Sequence, residues 1–351
     1  MKISNNISKR VLNIGPSFKP VTGGIAQVMA YYNYYVFENF RFVANSCPGN
    51  KIAKLLCAIT AYIKTLTKLL FDKVDILHIH TASNVSFKRS VIFARLGFLF
   101  KKKVIMHIHA GSFMEYYNTS PEYVSSVLKK CHKVVALSEV WKLRFEKEIG
   151  LSNVVVINNI IPEPTIVEKQ MFSDKAVHGL FLGAIKDQKG IFDLLDVVNE
   201  HKFLLDGKFV LHIGGNEQVN RLQSFINEHG LNNIVKYEGW VDEDKKVLLM
   251  NNCDILFLPS YIEGVPICVL EAMSYGLPVV TTNIGGIPSL IENEKNGYTN
   301  IPGDLVALWN STFRLIANEE LRKVYGKLSL EKIVQYYPDN IATQLMKLYN
   351  N

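Results

Sequence analysis

Glu263 and Glu271, with seven residues between them, lie in PSYIEGVPICVLEAMSYGLPVVTTNIGGIPSLIENEKNGYTNIPG, residues 259–303. Gly264 lets a backbone approach a ligand with no Cβ in the way, and Pro266 suits the first position of a helix, where its missing N–H costs nothing. The N–H groups near residues 265–268, Val265 among them, combine with the positive end of the helix dipole into a seat for a diphosphate. Glu263 falls in the loop before that helix and Glu271 about one and a half turns into it. One carboxylate can then serve a sugar and the other a ribose, each accepting hydrogen bonds from hydroxyl pairs. Isolated glutamates are mostly solvated surface charges. Here Glu271 sits in the apolar run Val269, Leu270, Ala272, Met273 after the strand-like CDILFLPS. That places the pair at the C-terminal end of a strand, where open α/β sheets bind ligands.

The elements that must hold these residues alternate short apolar strands with helical stretches, the pattern of parallel α/β sheets. Strands are expected at 11–15, 74–80, 103–109, 133–137 and 154–158, then at 178–183, 209–215, 234–240, 254–259 and 278–282. Between the two series, Pro162 and Pro164 interrupt regular structure in IIPEPTIVEKQ. Two Rossmann-like halves are therefore expected, joined near 160–170, with ligand held in the cleft between them. Other candidates cluster at strand ends. Gly23 and Gly24 precede a helical stretch and could approach phosphate oxygens there, although a Gly-Gly pair is also an ordinary turn. In HIHAGSF at 107–113 this reading sends the two histidines to opposite faces of the strand. One of the two can then face the ligand and the other not; a lone histidine on an apolar strand is more often structural, the reading given to His107 and to HIH at 78–80. No metal-binding pair is read from them.

The long segment resembles the Glu-x7-Glu signature of the retaining glycosyltransferases of family four, which have the GT-B fold. The resemblance runs from the glycine loop to NGYTN and is best in the second half. It implies an α/β GT-B architecture, two Rossmann-like parallel-sheet domains facing a central cleft. The expected division is 1–163 for an acceptor-side domain, 164–330 for a nucleotide-sugar donor domain, and 331–351 for a helix crossing back to the first. By resemblance, Glu271 holds the donor ribose, Glu263 the sugar hydroxyls, and His109 lies by the sugar. Lys189, Gly23 and Gly24 meet the diphosphate, the backbone of Gly264, Val265 and Pro266 contacts sugar and phosphate, and Trp240 and Val241 belong to the loop that reads the base. GAIKDQKG at 183–190 departs from the family pattern. Ala184 stands where an arginine is usual, which removes a bidentate contact, and Lys186 is the nearby cation that could replace it. For Ser138, Glu139 and Asn158, roles lining the cleft and roles as caps or turn residues are both open.

The implied activity is retaining, metal-independent transfer of a sugar from a UDP- or GDP-sugar to a polyprenyl-diphosphate-linked glycan, as in the assembly of capsule, O-antigen or exopolysaccharide. The nucleotide sugar is a substrate, and no cofactor is implied. The alternatives are a nucleotide-sugar epimerase or glycan phosphorylase of the same architecture, or a non-catalytic binding relative. Residues 1–165 carry 22 Lys+Arg against 9 Asp+Glu, while the remainder carries 17 against 23. An anionic partner is therefore expected for the first half. Without zinc-finger spacing or an RNA-binding motif, a membrane surface is favoured over nucleic acid. Residues 51–73 place Ile52, Leu55, Leu56, Ile59, Ile63, Leu66 and Leu70 on one arc and Lys54, Lys64 and Lys68 on another. Such a helix either covers a sheet or lies on a membrane, and 88–103, basic at both ends, resembles an interfacial helix. Five scattered cysteines, no apolar leader core and no span of membrane length point to a cytoplasmic protein, peripheral on the inner face of the cell membrane.

Overall fold

A computed structural model describes residues 1–167, 172 and 175–350. The end of the 160–170 break and Asn351 lie outside the described residues. The chain divides into two compact units, Met1–Pro162 with Gln335–Asn351, and Glu163–Val334.

The first unit is built on β1 (Val11–Pro16), β2 (Phe42–Ser46), β3 (Ile76–Thr81), β4 (Lys103–Ile108), β5 (Lys133–Ala136) and β6 (Val154–Val156). All pair in parallel, in the order β2-β1-β3-β4-β5-β6. Because helices cover both faces, the interior strands are buried almost throughout, and all six residues of β3 are, His78, His80 and Thr81 included. The Pro338–Asn350 helix belongs to this unit. Tyr349 Oη lies 2.7 Å from His78 Nδ1, the Ile161 N–H donates to the Tyr336 carbonyl, and Gln344 Oε1 accepts from the Asn158 N–H.

The second unit holds β7 (Val177–Leu182), β8 (Phe209–Gly214), β9 (Val235–Gly239), β10 (Ile255–Leu258), β11 (Val279–Thr282) and β12 (Gly297–Asn300). Their order is β12-β11-β10-β7-β8-β9, again all parallel. Within the unit this is the 3-2-1-4-5-6 arrangement of a doubly wound fold, and the order reverses between β7 and β10. The loops after those two strands are the natural ligand position. They carry Lys189 and Glu263.

Two strands were absent from the sequence reading, β2 and β12. Both lie at sheet edges, and both are short and half polar (FVANS, GYTN), so neither shows the continuous apolar run of a buried interior strand.

The Lys51–Phe71 helix is capped by Asn50, whose side chain accepts from the Ala53 N–H at 2.9 Å. Ala61, Thr65 and Leu69 form its buried side. Covering the sheet with the leucine and isoleucine arc is therefore not what happens: the larger apolar residues stay outside because small ones let the helix sit close. In the second unit the Ile267–Ser274 helix packs on Glu319–Ile333. A Cβ on Gly326 would lie 2.1 Å from the Gly276 carbonyl oxygen. Gly326→Ala is expected to destabilise this unit by about 1–3 kcal/mol, read as a lower urea midpoint; an unchanged midpoint would refute the close packing.

Candidate active site

The carboxylate pair is assembled from three separate elements of the second unit. Glu263 follows β10 and is 8% exposed. Its Oε1 accepts from Lys189 Nζ at 2.6 Å and from Ser260 Oγ at 2.8 Å. Lys189 closes a short helical turn, Asp187–Lys189, that follows β7. The two loops are tied by the Tyr261 N–H, which donates to the Gln188 carbonyl at 2.9 Å. Glycine is required at Gly190, where φ is +67° and a Cβ would fall 1.9 Å from the Pro259 carbonyl oxygen. The same holds at Gly285, with φ +53° and the Glu263 carbonyl oxygen 1.9 Å from a would-be Cβ. The Gly286 N–H donates to the Gly264 carbonyl at 2.6 Å. The IGG turn thus fixes the backbone on which Glu263 and Gly264 are mounted.

Glu271, also 8% exposed, takes a different cation. Lys246 Nζ donates to its Oε1 at 2.6 Å and to Glu243 Oε2 at 2.9 Å. Lys246 comes from the Glu243–Asn252 helix, capped by Asp242. For both lysines, burial pulls the pKa down and the facing carboxylates more than offset it, so each is held above its ordinary value. Cys268, one residue into the helix, is pushed up to about 12 by burial and by Glu263. It is a neutral thiol, and the other four cysteines are likewise free of disulfides.

Pro266 differs from the sequence reading by one position. It is the N-cap, extended at φ −71° and ψ 127°, and the helix starts at Ile267. Glu271 is consequently about one turn into the helix rather than one and a half. Val265 is buried. Trp240, 64% exposed, and the partly exposed Val241 follow β9. Val241 packs over Gly214 at the end of β8. Ala184 follows β7 and is partly exposed. Lys186 faces Glu217, with Nζ 3.6 Å from its Oε1.

Gly23, Gly24 and His109 belong to the first unit. Gly23, at φ +116°, is the N-cap of the Gly24–Tyr31 helix, with open space where its Cβ would be. His109 lies just past β4 and hydrogen-bonds to His80, Nε2 to Nδ1, at 3.0 Å. The assignment of His107 and His109 to opposite faces is corrected here. Residues two apart in a strand share a face, and the two rings stack with centroids 4.2 Å apart. His78 and His80 stack likewise at 4.3 Å, and His107 Nδ1 lies 3.2 Å from His78 Nε2. Four imidazoles thus form one cluster under Tyr32 and Tyr349. Three of them, His78, His80 and His107, present ring nitrogens within 4.8 Å of one another, a spacing that could hold a metal ion. Burial drives His78 and His109 down to about 3, and His80 and His107 well below their ordinary value.

Residues 163–331 match the family model for glycosyl transferases group 1. The Anabaena HepE protein, solved with UDP and glucose, superposes with a TM-score of 0.77 at 17% identity, covering 98% of this chain and 100% of that one. The fold is GT-B. An uncharacterised glycosyltransferase of Methanocaldococcus jannaschii is 24% identical over 92% of this chain and 88% of its own length. The UDP-Gal:alpha-D-GlcNAc-diphosphoundecaprenol alpha-1,3-galactosyltransferase of Escherichia coli is 24% identical over 88% of this chain and 81% of its own. Family match and GT-B fold together support glycosyl transfer as the activity.

Sequence reasoning missed Lys246 and Ser260 as partners of the two glutamates. Ser260, three residues before Glu263, was available from spacing within the loop. Lys246 was not, since nothing local distinguishes it from Lys245, which pairs with Glu238 instead.

The histidine cluster sets a pH dependence. Above about pH 6.5 the imidazoles are neutral both folded and unfolded, and stability is at its full value. Below it the unfolded chain takes up protons that the folded cluster refuses until about pH 3, so stability falls as pH falls, by up to about 1.4 kcal/mol per pH unit for each histidine. A His107→Gln variant should lose its urea midpoint less steeply between pH 7 and about pH 5. Parallel slopes in the two proteins would contradict the neutral cluster.

Proposed function

We propose that the protein is a retaining, metal-independent glycosyltransferase that moves a sugar from a UDP- or GDP-sugar to a lipid-linked glycan in the assembly of a surface polysaccharide. The observation that carries this reading is the pair of nearly buried carboxylates, each paired with its own lysine, at the reversal point of the second sheet. In this reading Glu271 accepts from the ribose hydroxyls and Glu263 from those of the donor sugar. Lys189 and the N-terminus of the Ile267–Ser274 helix meet the diphosphate, where negative charge grows as the sugar departs. Lys189 already stands beside Glu263, so it can exchange part of that contact for a phosphate oxygen without leaving its place. The backbone of Gly264, Val265 and Pro266 follows the donor, Trp240 and Val241 border the base, Gly23 and Gly24 approach the diphosphate, and His109 lies by the sugar. The leaving diphosphate takes the acceptor proton on the same face, and no protein nucleophile and no cofactor enter.

The lipid-linked acceptor is supported by the name of the Escherichia coli relative and by the basic first unit. The same features support a cytoplasmic protein that works at the inner face of the membrane, with no nucleic-acid partner. One observation favours a second reading, a binding relative without turnover: Ala184 offers no guanidinium, and Lys186 faces Glu217 rather than standing unengaged.

The test is incubation with UDP- and GDP-sugars and a polyprenyl-diphosphate-linked glycan pool, with release of nucleoside diphosphate and product mass as readouts. Acceptor-dependent release from one donor is expected, and Glu271→Ala should lower it by about 10²–10³-fold with its circular dichroism spectrum unchanged. Donor binding without release across the pool would favour the binding relative. The pH profile is a further expectation. Lys189 is held above its ordinary value and His109 is neutral above about 3, so neither should contribute a limb to kcat/KM at neutral pH. A limb near neutrality that disappears in His109→Gln would overturn that assignment.

A further inference from the structure

His80 on β3 and His109 just past β4 share a hydrogen bond that has a direction. His80 Nδ1 and His109 Nε2 are 3.0 Å apart. Burial lowers the pKa of both rings, so both are neutral at about pH 7. A neutral imidazole has one N–H and one lone pair. The bond therefore holds one proton, and that proton belongs to one ring or the other.

The second nitrogen of His80 decides which. His80 is 1% exposed, and its Nε2 has no hydrogen-bond partner. With the proton on Nε2, a buried N–H would lack an acceptor, an arrangement that folded proteins rarely contain. With the proton on Nδ1, only a lone pair is left bare, and the N–H is used on His109. His109 Nε2 is then the acceptor, and the one proton of His109 sits on its Nδ1. The neighbouring pair obeys the same rule. His107 Nε2 is also buried without a partner, so His107 Nδ1 donates to His78 Nε2 at 3.2 Å, and His78 Nδ1 to Tyr349 Oη at 2.7 Å.

His109 differs from the other three rings in being partly exposed. Its backbone N–H donates to the Thr81 carbonyl at 2.9 Å, which anchors the main chain beside His80. Among the described residues its Nδ1 has no hydrogen-bond partner.

We propose that His80 is a positioning residue: by donating to His109 Nε2 it fixes that ring and leaves the His109 Nδ1–H to donate to an oxygen of the bound sugar. For the identity of the ligand the inference rests on the proposed function. A ring that offers only an N–H needs a lone pair opposite it, from a hydroxyl or a carbonyl oxygen, and it cannot take up a proton at that atom.

The experiment is long-range proton–nitrogen NMR correlation of the imidazoles in the isotope-labelled full chain near neutral pH, without nucleotide. His109 is assigned by the loss of its signals in His109→Gln. A protonated Nδ1 and a bare Nε2 are expected for His109; the reverse, or exchange between the two forms, overturns the proposal. His80→Asn places an amide N–H near the position of Nδ1 and should keep that pattern. His80→Leu, apolar and of similar size, should give a mixture of both forms. An unchanged pattern in the leucine variant overturns the positioning role. If that variant does not fold, the asparagine variant still decides, because a mixture there overturns it too. Kinetics with UDP-glucose, UDP-galactose and GDP-mannose give a second readout. His80→Leu should raise the sugar-nucleotide KM about 3–10-fold, the worth of one neutral hydrogen bond, and His80→Asn by less than about twofold, with kcat little changed in either. Equal rises in the two variants would assign His80 to packing alone. If no sugar nucleotide turns over, the proposed function fails while the spectra still test where the proton sits.

Discussion

Placing two carboxylates where almost no water reaches them constrains the second unit more than any other feature. An ionised carboxylate in the interior costs several kcal/mol unless a counter-ion and hydrogen bonds meet it. Glu263 and Glu271 each have such a partner, and each partner comes from a different stretch of chain. Lys189 can reach Glu263 only if the loop after β7 lies against the loop after β10, and Lys246 can reach Glu271 only if the Glu243–Asn252 helix brings that one side chain to the Ile267–Ser274 helix. The ion pairs thereby specify relative positions for elements that are far apart in sequence. Glycines at 190 and 285 make the approach possible, since each faces a carbonyl oxygen at a distance no Cβ tolerates.

The sheet order explains why this happens at one end of the unit. β7 and β10 are adjacent in space and lead in opposite directions around the sheet, so the loops leaving them meet at the reversal point, where open sheets of this kind bind ligands. A helix start there adds its dipole to the lysine charge. An anionic ligand is favoured at that place by backbone and side chains alike, and a paired lysine is a better donor for it than a free one. Its position is already fixed, and Glu263 keeps it protonated.

Much of this was legible in sequence because it is local. The interior strands announce themselves as short apolar runs, and the glutamate spacing, the Gly-Val-Pro turn and the preceding strand are contiguous. What was not legible depends on distant partners or on edges. β2 and β12 have one neighbour each, so their sequences stay half polar. Lys246 is one of two consecutive lysines, and only the packing of its helix decides which meets Glu271. The histidines were placed on opposite faces, although the period-two pleat sets residues 107 and 109 on one face. Their stacking with His78 and His80 further needs the β3–β4 register, which pairs His80 with His107. The Lys51–Phe71 helix misled for another reason. An apolar arc indicates burial in something, and a soluble core is only the commonest case. Ala61 and Thr65, too small to read as core residues, are what the helix buries.

The two units differ in the ionisable groups they enclose near the candidate site residues. The second unit buries two carboxylates against two lysines, which leaves the acidic excess of residues 166–351 unchanged. The first unit buries imidazoles held neutral and leaves its lysines and arginines on the surface, where residues 1–165 carry 22 basic against 9 acidic side chains. A neutral interior cluster neither consumes nor balances those surface cations. Their field is therefore available to an external anion.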